Sequence, residues 1–296
     1  MSAVERAVPL RQARKFLRLV AIEHSVFALP FAYLSALTAM LALTGRVSWR
    51  QLALITIAMI GARTFAMAMN RIIDREIDAR NPRTAGRELV TGEMSVRSAV
   101  AGAVVALTVF LAAAALLSPL CLALAPLAAL PLVVYPYAKR FTWAPHAFLA
   151  LAQAVAPLGA WIAVTNRLSW SAGLLGAAVG CWIGGFDIIY SCQDVESDRR
   201  QGIGSLPARF GIGPALVAAR ATHLITTGLF VGFGVMERFG QVWWLGLLVT
   251  ALAFVYEHAL VRADDLSRLN RAFFTVNGFV GIWLFACALT DLVLRG

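Results

Sequence analysis

The stretch that decides the fold is residues 98–138, SAVAGAVVALTVFLAAAALLSPLCLALAPLAALPLVVYPYA, which contains no charged residue. A helix crosses the hydrocarbon core of a bilayer with about 20 apolar residues, so this run is long enough for two crossings. Ser118-Pro119 lies near its middle and predicts the break, because proline lacks a helical N–H and clashes with the preceding turn. The sequence therefore predicts two membrane helices that meet at residue 118.

Similar apolar runs fill most of the remaining chain. Further spans are predicted at residues 24–45, 51–70, 141–166, 168–186, 216–236, 239–256 and 272–290. Of the 296 residues, 60% are hydrophobic and 14% are charged, against about a quarter charged in an ordinary soluble domain. We therefore expect an all-α bundle of nine transmembrane helices. It would form one integral-membrane domain over residues 1–296, with a basic cytoplasmic segment at about residues 1–18.

The basic residues indicate how this bundle lies in the membrane. With the N-terminus in the cytoplasm, the inner segments carry 20 Lys and Arg residues and the outer segments carry 5. Such an excess of positive charge is typical of cytoplasmic loops. We expect a multi-pass protein of a bacterial-type inner (cytoplasmic) membrane with its active site facing the cytoplasm. The net charge of +10 is then a signal of topology and of contact with the lipid bilayer, and it does not indicate a nucleic-acid partner.

A first polar cluster lies at the predicted cytoplasmic end of the second span. Asn70, Asp74 and Asp78 are four residues apart, so on a helix they form one stripe with neighbours about 5–6 Å apart. Carboxylates at that spacing repel each other unless a cation lies between them, and oxygen ligands suit Mg²⁺. Arg63, two turns before Asn70, faces the same stripe. The alternative is a solvated helix end, where the acids pair with the neighbouring arginines Arg71, Arg75 and Arg80.

A second acidic cluster ends the span predicted at 168–186. Asp187, Asp194 and Asp198 are spaced for one helical face, and Tyr190 is near the same stripe. An ionisable side chain beside a charge-free span is costly, so a function is its default interpretation. Both clusters lie at cytoplasmic ends, which predicts one shared site. The basic residues nearby, which with magnesium would suit a phosphate-bearing substrate, are Arg83, Arg87, Lys139, Arg140, Arg199 and Arg200.

The histidines and the start of the first span offer weaker signals. Glu23 and His24 place two ionisable groups at the cytoplasmic end of that span, and we take them as candidates for contact with an acceptor substrate. The other histidines share no metal-binding spacing, and packed or interfacial roles are expected for them: His146, His223 and His258.

These motifs resemble those of the UbiA-type membrane aromatic prenyltransferases of ubiquinone and menaquinone biosynthesis. The first family motif, N-x-x-x-D-x-x-x-D after an arginine at the spacing of Arg63, corresponds to Asn70, Asp74 and Asp78. The second, D-x-x-Y-x-x-x-D-x-x-x-D, begins at Asp187, and the family's Y-P-x-x-K-R segment begins at Tyr135. The similarity extends over roughly residues 15–290. It also implies the nine-helix fold.

The resemblance implies magnesium-dependent transfer of a polyprenyl group from a prenyl diphosphate to 4-hydroxybenzoate or a related hydroxylated aromatic acid. The residues it implies for Mg²⁺ are Asn70, Asp74, Asp78, Asp194 and Asp198. Those it implies for the prenyl diphosphate are Arg63, Asn70, Lys139, Arg87, Arg199 and Tyr190. Asp194 is expected to take the phenolic proton, with Asp187 second, and Arg140 is expected to bind the carboxylate of the acceptor.

Alternatives stay open at the level of sequence. Residue 71 is Arg71, where many relatives carry a second acid, and residues 22–31 lack the arginine and proline-glycine step usual in 4-hydroxybenzoate enzymes. A naphthoate-type acceptor of the futalosine route to menaquinone, haem or a chlorin are therefore alternative acceptors. An ion-coupled secondary transporter is a rival of another class. Transporters hold their acids near the midplane, however, whereas both clusters here lie at span ends.

Overall fold

The computed structural model of the chain describes residues 28–295, and Glu23, His24 and the basic segment at about residues 1–18 lie outside this range. Helix accounts for 81% of the structure, and residues 28–295 contain no β-strand. The all-α expectation is therefore confirmed. In chain order the helices are α1 (Leu29–Thr44), α2 (Trp49–Ile73), α3 (Arg75–Ala79), α4 (Val96–Leu117), α5 (Pro119–Ala138), α6 (Pro145–Thr165), α7 (Trp170–Ser191), α8 (Val195–Gln201), α9 (Leu206–Phe210), α10 (Ile212–Met236), α11 (Gln241–Leu260) and α12 (Asn277–Arg295).

The break predicted at Ser118-Pro119 is confirmed. Ser118 has an extended backbone, with φ −161° and ψ 156°, and its side chain accepts a hydrogen bond from the backbone N–H of Cys121. Pro119 occupies the first turn of α5, where its missing N–H leaves no hydrogen bond unmade. Ser118 thus ends α4 and caps α5, and a single residue separates the two helices.

Eight helical segments are long and apolar enough to cross a membrane, whereas α1 has only 16 described residues. Their outward faces expose leucine, valine and isoleucine side chains, as expected of surfaces that contact lipid. Trp49 and Trp170, at the first residues of α2 and α7, are 78% and 85% exposed. Amphipathic rings at span ends suit the headgroup region of a bilayer. The chain is therefore an integral, multi-pass membrane protein.

Neighbouring helices pack into a closed bundle. α2 packs on α4, α6 on α7, and α7 on α10, while α12 returns to α1, which lies against α6. The centre is aromatic: the Phe31 ring meets the Trp182 ring edge-on at 5.4 Å and stacks on Phe230 at 5.7 Å. Buried aromatic side chains contribute large apolar areas to a core. These three side chains join α1, α7 and α10.

The two ends of the bundle differ in their connections. At one end the helices are joined by residues 45–48, 118, 166–169 and 237–240 alone. The connections at the other end are longer, and they include the short helices α3, α8 and α9. Both acidic clusters lie at this second end.

One local prediction is wrong. A 3₁₀ turn, Cys192–Asp194, separates α7 from α8, so Asp187 and Asp198 do not lie on one continuous helical face. The helix α7 also continues to Ser191, five residues beyond the predicted span, which places Asp187 within it. At the first cluster α2 ends at Ile73, but the stripe survives. The Asp74 N–H donates to the Asn70 carbonyl at 2.9 Å, and the Asp78 N–H donates to the Asp74 carbonyl at 2.8 Å.

The helices α6 and α7 pack so closely that a substitution of one glycine can test their contact. A Cβ at Gly180 would lie 2.5 Å from the Ala150 carbonyl oxygen, whereas a Cβ at Gly173 on the same helix meets nothing within 4 Å. Alanine gains about 1 kcal/mol over glycine within a helix, and overpacking costs about 1–3 kcal/mol. We expect Gly180→Ala to lower the melting temperature of the detergent-solubilised protein, and Gly173→Ala to raise it or leave it unchanged. Equal melting temperatures for the two variants would contradict this close contact.

Candidate active site

The two acidic clusters are joined by hydrogen bonds between parts of the chain more than a hundred residues apart. Arg83, in the connection after α3, binds Asp194 in a bidentate manner, with Nε to Oδ1 at 3.0 Å and Nη2 to Oδ2 at 2.7 Å. Asn81 Nδ2 donates to the same Oδ1 at 2.9 Å. These bonds place Asp194 beside the connection that follows the first cluster, and the sharing of one functional site by the two clusters stays a prediction.

Asp74 is the most enclosed acid of the first cluster, with 1% of its surface exposed. Lys139 Nζ lies 2.6 Å from Asp74 Oδ2, Arg140 Nη1 donates to Oδ1 at 3.1 Å, and Asn70 Nδ2 donates to Oδ2 at 3.2 Å. Burial raises the pKa of Asp74 above its ordinary value, and attraction to Lys139 and Arg140 opposes that rise. The end of α5 thus supplies two cations to an acid at the end of α2.

Arg140 contacts the end of α2, and its expected contact with the carboxylate of the acceptor stays a prediction. Besides Asp74 it contacts two backbone carbonyls, Pro136 O and Ile73 O, each at 2.7 Å. Its guanidinium also lies 5.3 Å from the centre of the Tyr137 ring. These contacts attach Arg140 to the acid side of the site and tie the ends of α2 and α5 together.

The remaining acids of the two clusters also have partners. Arg87 Nη1 lies 2.5 Å from Asp78 Oδ2, and Ser205 Oγ donates to Asp198 Oδ2 at 2.8 Å. The residue before Ser205, Gly204, donates its N–H to the Lys139 carbonyl at 2.7 Å. A Cβ at residue 204 would lie 2.0 Å from a backbone oxygen of the connection after α5, so only glycine fits there. This glycine lets the segment that holds Asp198 lie directly against the segment that carries Lys139.

Asp187 has a partner that the sequence did not indicate. Its Oδ2 lies 2.6 Å from Nδ1 of His146, in the first turn of α6. His146 is buried, as expected, but it contacts a predicted site residue. No spacing relates the two in sequence. The position of His146 could have indicated this contact, because His146 begins a span at the same end of the bundle as both clusters.

A row of aromatic side chains leads from the ion pairs into the bundle. The Arg83 guanidinium lies 5.4 Å from the centre of the Tyr190 ring, and that ring lies 4.1 Å from Phe273. Phe273 meets Phe186 edge-on at 5.1 Å. Phe273 belongs to a π-helical turn, Arg271–Val276, and π turns are frequent at functional sites. Sequence reasoning missed Phe273, because its position depends on that turn.

Two arginines that were predicted to bind the prenyl diphosphate, Arg63 and Arg199, have contrasting surroundings. Arg63 lies in α2, and its Nε is buried without a hydrogen-bond partner among residues 28–295. Arg199 is exposed, and its Nε donates to the Ala208 carbonyl at 2.9 Å, which holds α9 against α8. An anion near Arg63 would satisfy a buried donor, whereas Arg199 already has a backbone acceptor.

The donor set fits a magnesium ion by its chemistry. Within residues 28–295, no three Asp, Glu, His or Cys side chains are gathered closely enough to hold a metal ion. The acids contact basic, amide or hydroxyl groups instead. Their ligand atoms are all oxygens, from carboxylates and the amide of Asn70, and Mg²⁺ prefers such ligands together with phosphate oxygens. The residues that could hold it are Asn70, Asp74, Asp78, Asp194 and Asp198.

Comparison with known proteins assigns this arrangement to a family. The sequence model of the UbiA prenyltransferase family matches residues 28–280. The chain belongs to the UbiA prenyltransferase family. It is therefore a prenyltransferase, and the expectation of an enzyme of this type is confirmed. The alternative of an ion-coupled secondary transporter is therefore no longer supported.

Individual relatives are similar to this chain over most of its length. The apo structure of a UbiA homolog from Aeropyrum pernix K1 is 34% identical, with a TM-score of 0.82 over 91% of this chain and 98% of that one. A 4-hydroxybenzoate octaprenyltransferase of Vibrio campbellii is 27% identical over 92% of this chain and 95% of its own. A UbiA homolog from Archaeoglobus fulgidus, solved with DMAPP and Mg²⁺, has a TM-score of 0.74, covering 95% of this chain and 99% of its own. At 21% identity the last supports the fold alone.

The charge pairing at Asp74 makes a prediction for stability. In Asp74→Asn, Lys139 and Arg140 lose a shared counter-charge, which we expect to cost about 1–3 kcal/mol because both remain partly enclosed. The matched control is Glu196→Gln, which removes an acid from an exposed pair with Arg200 and should change stability by less than about 1 kcal/mol. Melting temperatures of the ligand-free protein in detergent measure both. An Asp74→Asn protein as stable as the control would show that the pairing at Asp74 adds nothing.

Proposed function

We propose that this protein transfers a polyprenyl group from a prenyl diphosphate to 4-hydroxybenzoate, a step of quinone biosynthesis, with Mg²⁺ as cofactor. The observation that carries the proposal is the interleaving of acids with lysine and arginine at one end of an apolar bundle. The choice of acceptor is supported by the similarity to 4-hydroxybenzoate octaprenyltransferases.

The ion pairs are suited to exchange with a magnesium diphosphate. A buried charge that loses its partner is strongly unfavourable, so acids and bases in this site must change partners together. Lys139, Arg83 and Arg87 could bind the anionic oxygens of a diphosphate. The acids that they leave, Asp74, Asp194 and Asp78, would then hold the metal ion. Bound Mg²⁺ supplies Lewis acidity for the charge that gathers on the leaving diphosphate. Each pair thus gives a cation and an acid a partner that a diphosphate and a metal ion could replace together.

The chain's own residues then have separable tasks. Arg63 contributes a buried donor that has no partner among residues 28–295, and the guanidinium of Arg83 can bind phosphate oxygens with two N–H groups. Tyr190 and Phe273 present aromatic faces beside Arg83, where a developing allylic cation would be attracted to them. The apolar bundle beyond accommodates the prenyl tail and keeps water from the cation.

The acceptor half favours a different base from the one first expected. Three hydrogen bonds from Arg83 and Asn81 already occupy both oxygens of Asp194, so neither oxygen is free to face the acceptor hydroxyl. Asp187 is held through one oxygen by His146, and its side chain is 21% exposed. We therefore assign the phenolic proton to Asp187 and leave Asp194 to the diphosphate side. Arg140 is then a stabiliser of Asp74, and the roles of Arg199, Glu23 and His24 stay predictions.

The same proposal includes the topology. We infer nine spans in one domain, with α1 completed by the residues before it, the N-terminus in the cytoplasm and the site facing the cytoplasm of a bacterial-type inner membrane. The excess of basic residues in the connections around both acidic clusters supports this orientation. A site open to that side can receive water-soluble aromatic acids, while the prenyl tail stays in the bilayer.

Loss of one acid tests the diphosphate half. We expect Asp74→Asn and Asp194→Asn each to lower prenyl transfer by about 100-fold or more, because the charge that stabilises the transition state is weakened. Membranes containing each variant would be assayed with Mg²⁺, a labelled polyprenyl diphosphate and 4-hydroxybenzoate, and equal protein levels would be verified. Glu196→Gln is the matched control and should keep wild-type activity. Full activity in either variant, or in wild type after chelation of divalent metal, contradicts the metal assignment.

An acceptor screen tests the other half. Wild-type membranes supplied with the same donor should give a labelled product with 4-hydroxybenzoate, as chromatography of the lipid extract would detect. A product formed only with a naphthoate-type acceptor would move the protein to the futalosine branch. A product formed only with haem or a chlorin would move it to those pathways, and no product with any acceptor, from folded protein, would refute the proposed activity.

A further inference from the structure

We propose that His146 is a positioning residue for the reaction: it donates a hydrogen bond from Nδ1 to Asp187 and so aims the free oxygen of that carboxylate at the acceptor hydroxyl. The inference rests on the proposed function, in which Asp187 takes the phenolic proton. His146 itself touches no substrate and keeps its proton throughout.

The hydrogen bonds of the imidazole define its tautomer. Nδ1 lies 2.6 Å from Asp187 Oδ2, and the backbone N–H of Leu206 donates to Nε2 at 3.4 Å. A backbone N–H can only donate, so Nε2 must present its lone pair. The neutral ring then carries its single proton on Nδ1, where it faces the carboxylate. Asp187 Oδ2 is therefore the acceptor in this pair.

The surrounding backbone holds the ring in this orientation. His146 is 5% exposed and follows Pro145, whose fixed φ suits the first turn of α6. One turn before Asp187, a Cβ at Gly184 would lie 3.3 Å from the His146 carbonyl oxygen and 3.2 Å from the Ala150 Cβ. Because residue 184 is a glycine, α6 and α7 can lie close together at the level of the His146–Asp187 pair. A residue held in this way loses little entropy when it orients its neighbour.

The pair is also connected to the diphosphate side of the site. Leu206, which donates to His146, directly follows Ser205, which donates to Asp198. Two adjacent residues at the start of α9 therefore contact one acid cluster and the partner of the proposed base. The orientation of Asp187 depends on the same segment that holds Asp198.

The proton transfer balances without a change in His146. The acceptor hydroxyl gives its proton to Asp187, and the electron density of the phenolate ring forms a carbon–carbon bond with C1 of the prenyl group. The bond from C1 to the diphosphate oxygen breaks, and diphosphate leaves with the electron pair. The ring carbon then gives its hydrogen as a proton to an oxygen of the departing diphosphate, and Asp187 returns its own proton to the phenolate oxygen.

Two substitutions at residue 146 separate positioning from packing. In His146→Gln the amide can donate to Asp187 and accept from Leu206, whereas His146→Leu fills similar space with no polar atom. We expect His146→Leu to lower kcat by about 100-fold, as a small misplacement of a catalytic group does. His146→Gln should retain most of the activity, the KM for prenyl diphosphate should stay unchanged in both, and His146→Leu should add little loss to Asp187→Asn. Equal losses for the two substitutions, wild-type activity in His146→Leu, or a raised KM for prenyl diphosphate would overturn the proposal.

A spectroscopic measurement tests the pair without relying on turnover. In the full chain labelled with ¹⁵N-histidine, the signal that disappears in His146→Gln belongs to His146. We expect its shifts to be those of a neutral ring protonated at Nδ1, and to change in Asp187→Asn. A ring protonated at Nε2, or at both nitrogens, would overturn the proposal even in an active enzyme. The expected shifts in a protein that prenylates no acceptor would instead refute the proposed function and leave the pairing intact.

Discussion

The neutralisation of aspartates at one end of an apolar bundle is the constraint on which the rest of this structure depends. An ionised carboxylate there has lost much of its water and must be compensated by a nearby cation or donor. Lys139 and Arg140, at the end of α5, pair with Asp74. Arg83, in the connection after α3, pairs with Asp194. The ion pairs thereby draw together the ends of α2, α5 and α7.

The same constraint links the resting structure to prenyl transfer. In the proposed mechanism a metal and a diphosphate bind together, because each offers a new partner to one half of the ion pairs at Asp74, Asp78 and Asp194. Asp187 stands apart from this exchange in the proposed mechanism, because its partner is His146 and not a lysine or arginine. The proposed site thereby has a diphosphate half, rich in lysine and arginine, and an acceptor half around Asp187.

Local patterns predicted the larger part of the fold. Apolar runs of span length located the helices to within a few residues, and Ser118-Pro119 located the break between α4 and α5. The four-residue spacing still places Asn70, Asp74 and Asp78 on one stripe beyond the end of α2, because the helical hydrogen bonds continue through Asp74. The 3₁₀ turn before α8 was not predictable, since no glycine or proline marks it. It interrupts the α-helix between Asp187 and Asp198.

By itself the sequence determined that this chain crosses a membrane several times, that both acidic clusters lie at helix ends of one side, and which family it resembles. Each of these properties depends on composition or on spacing within a few turns of helix. Only the tertiary structure decided which partner each acid takes. Arg140 binds Asp74, Arg83 binds Asp194, and His146 meets Asp187. Such pairs join residues 41 to 111 positions apart, and their contacts depend on how the helices pack, which no local pattern records.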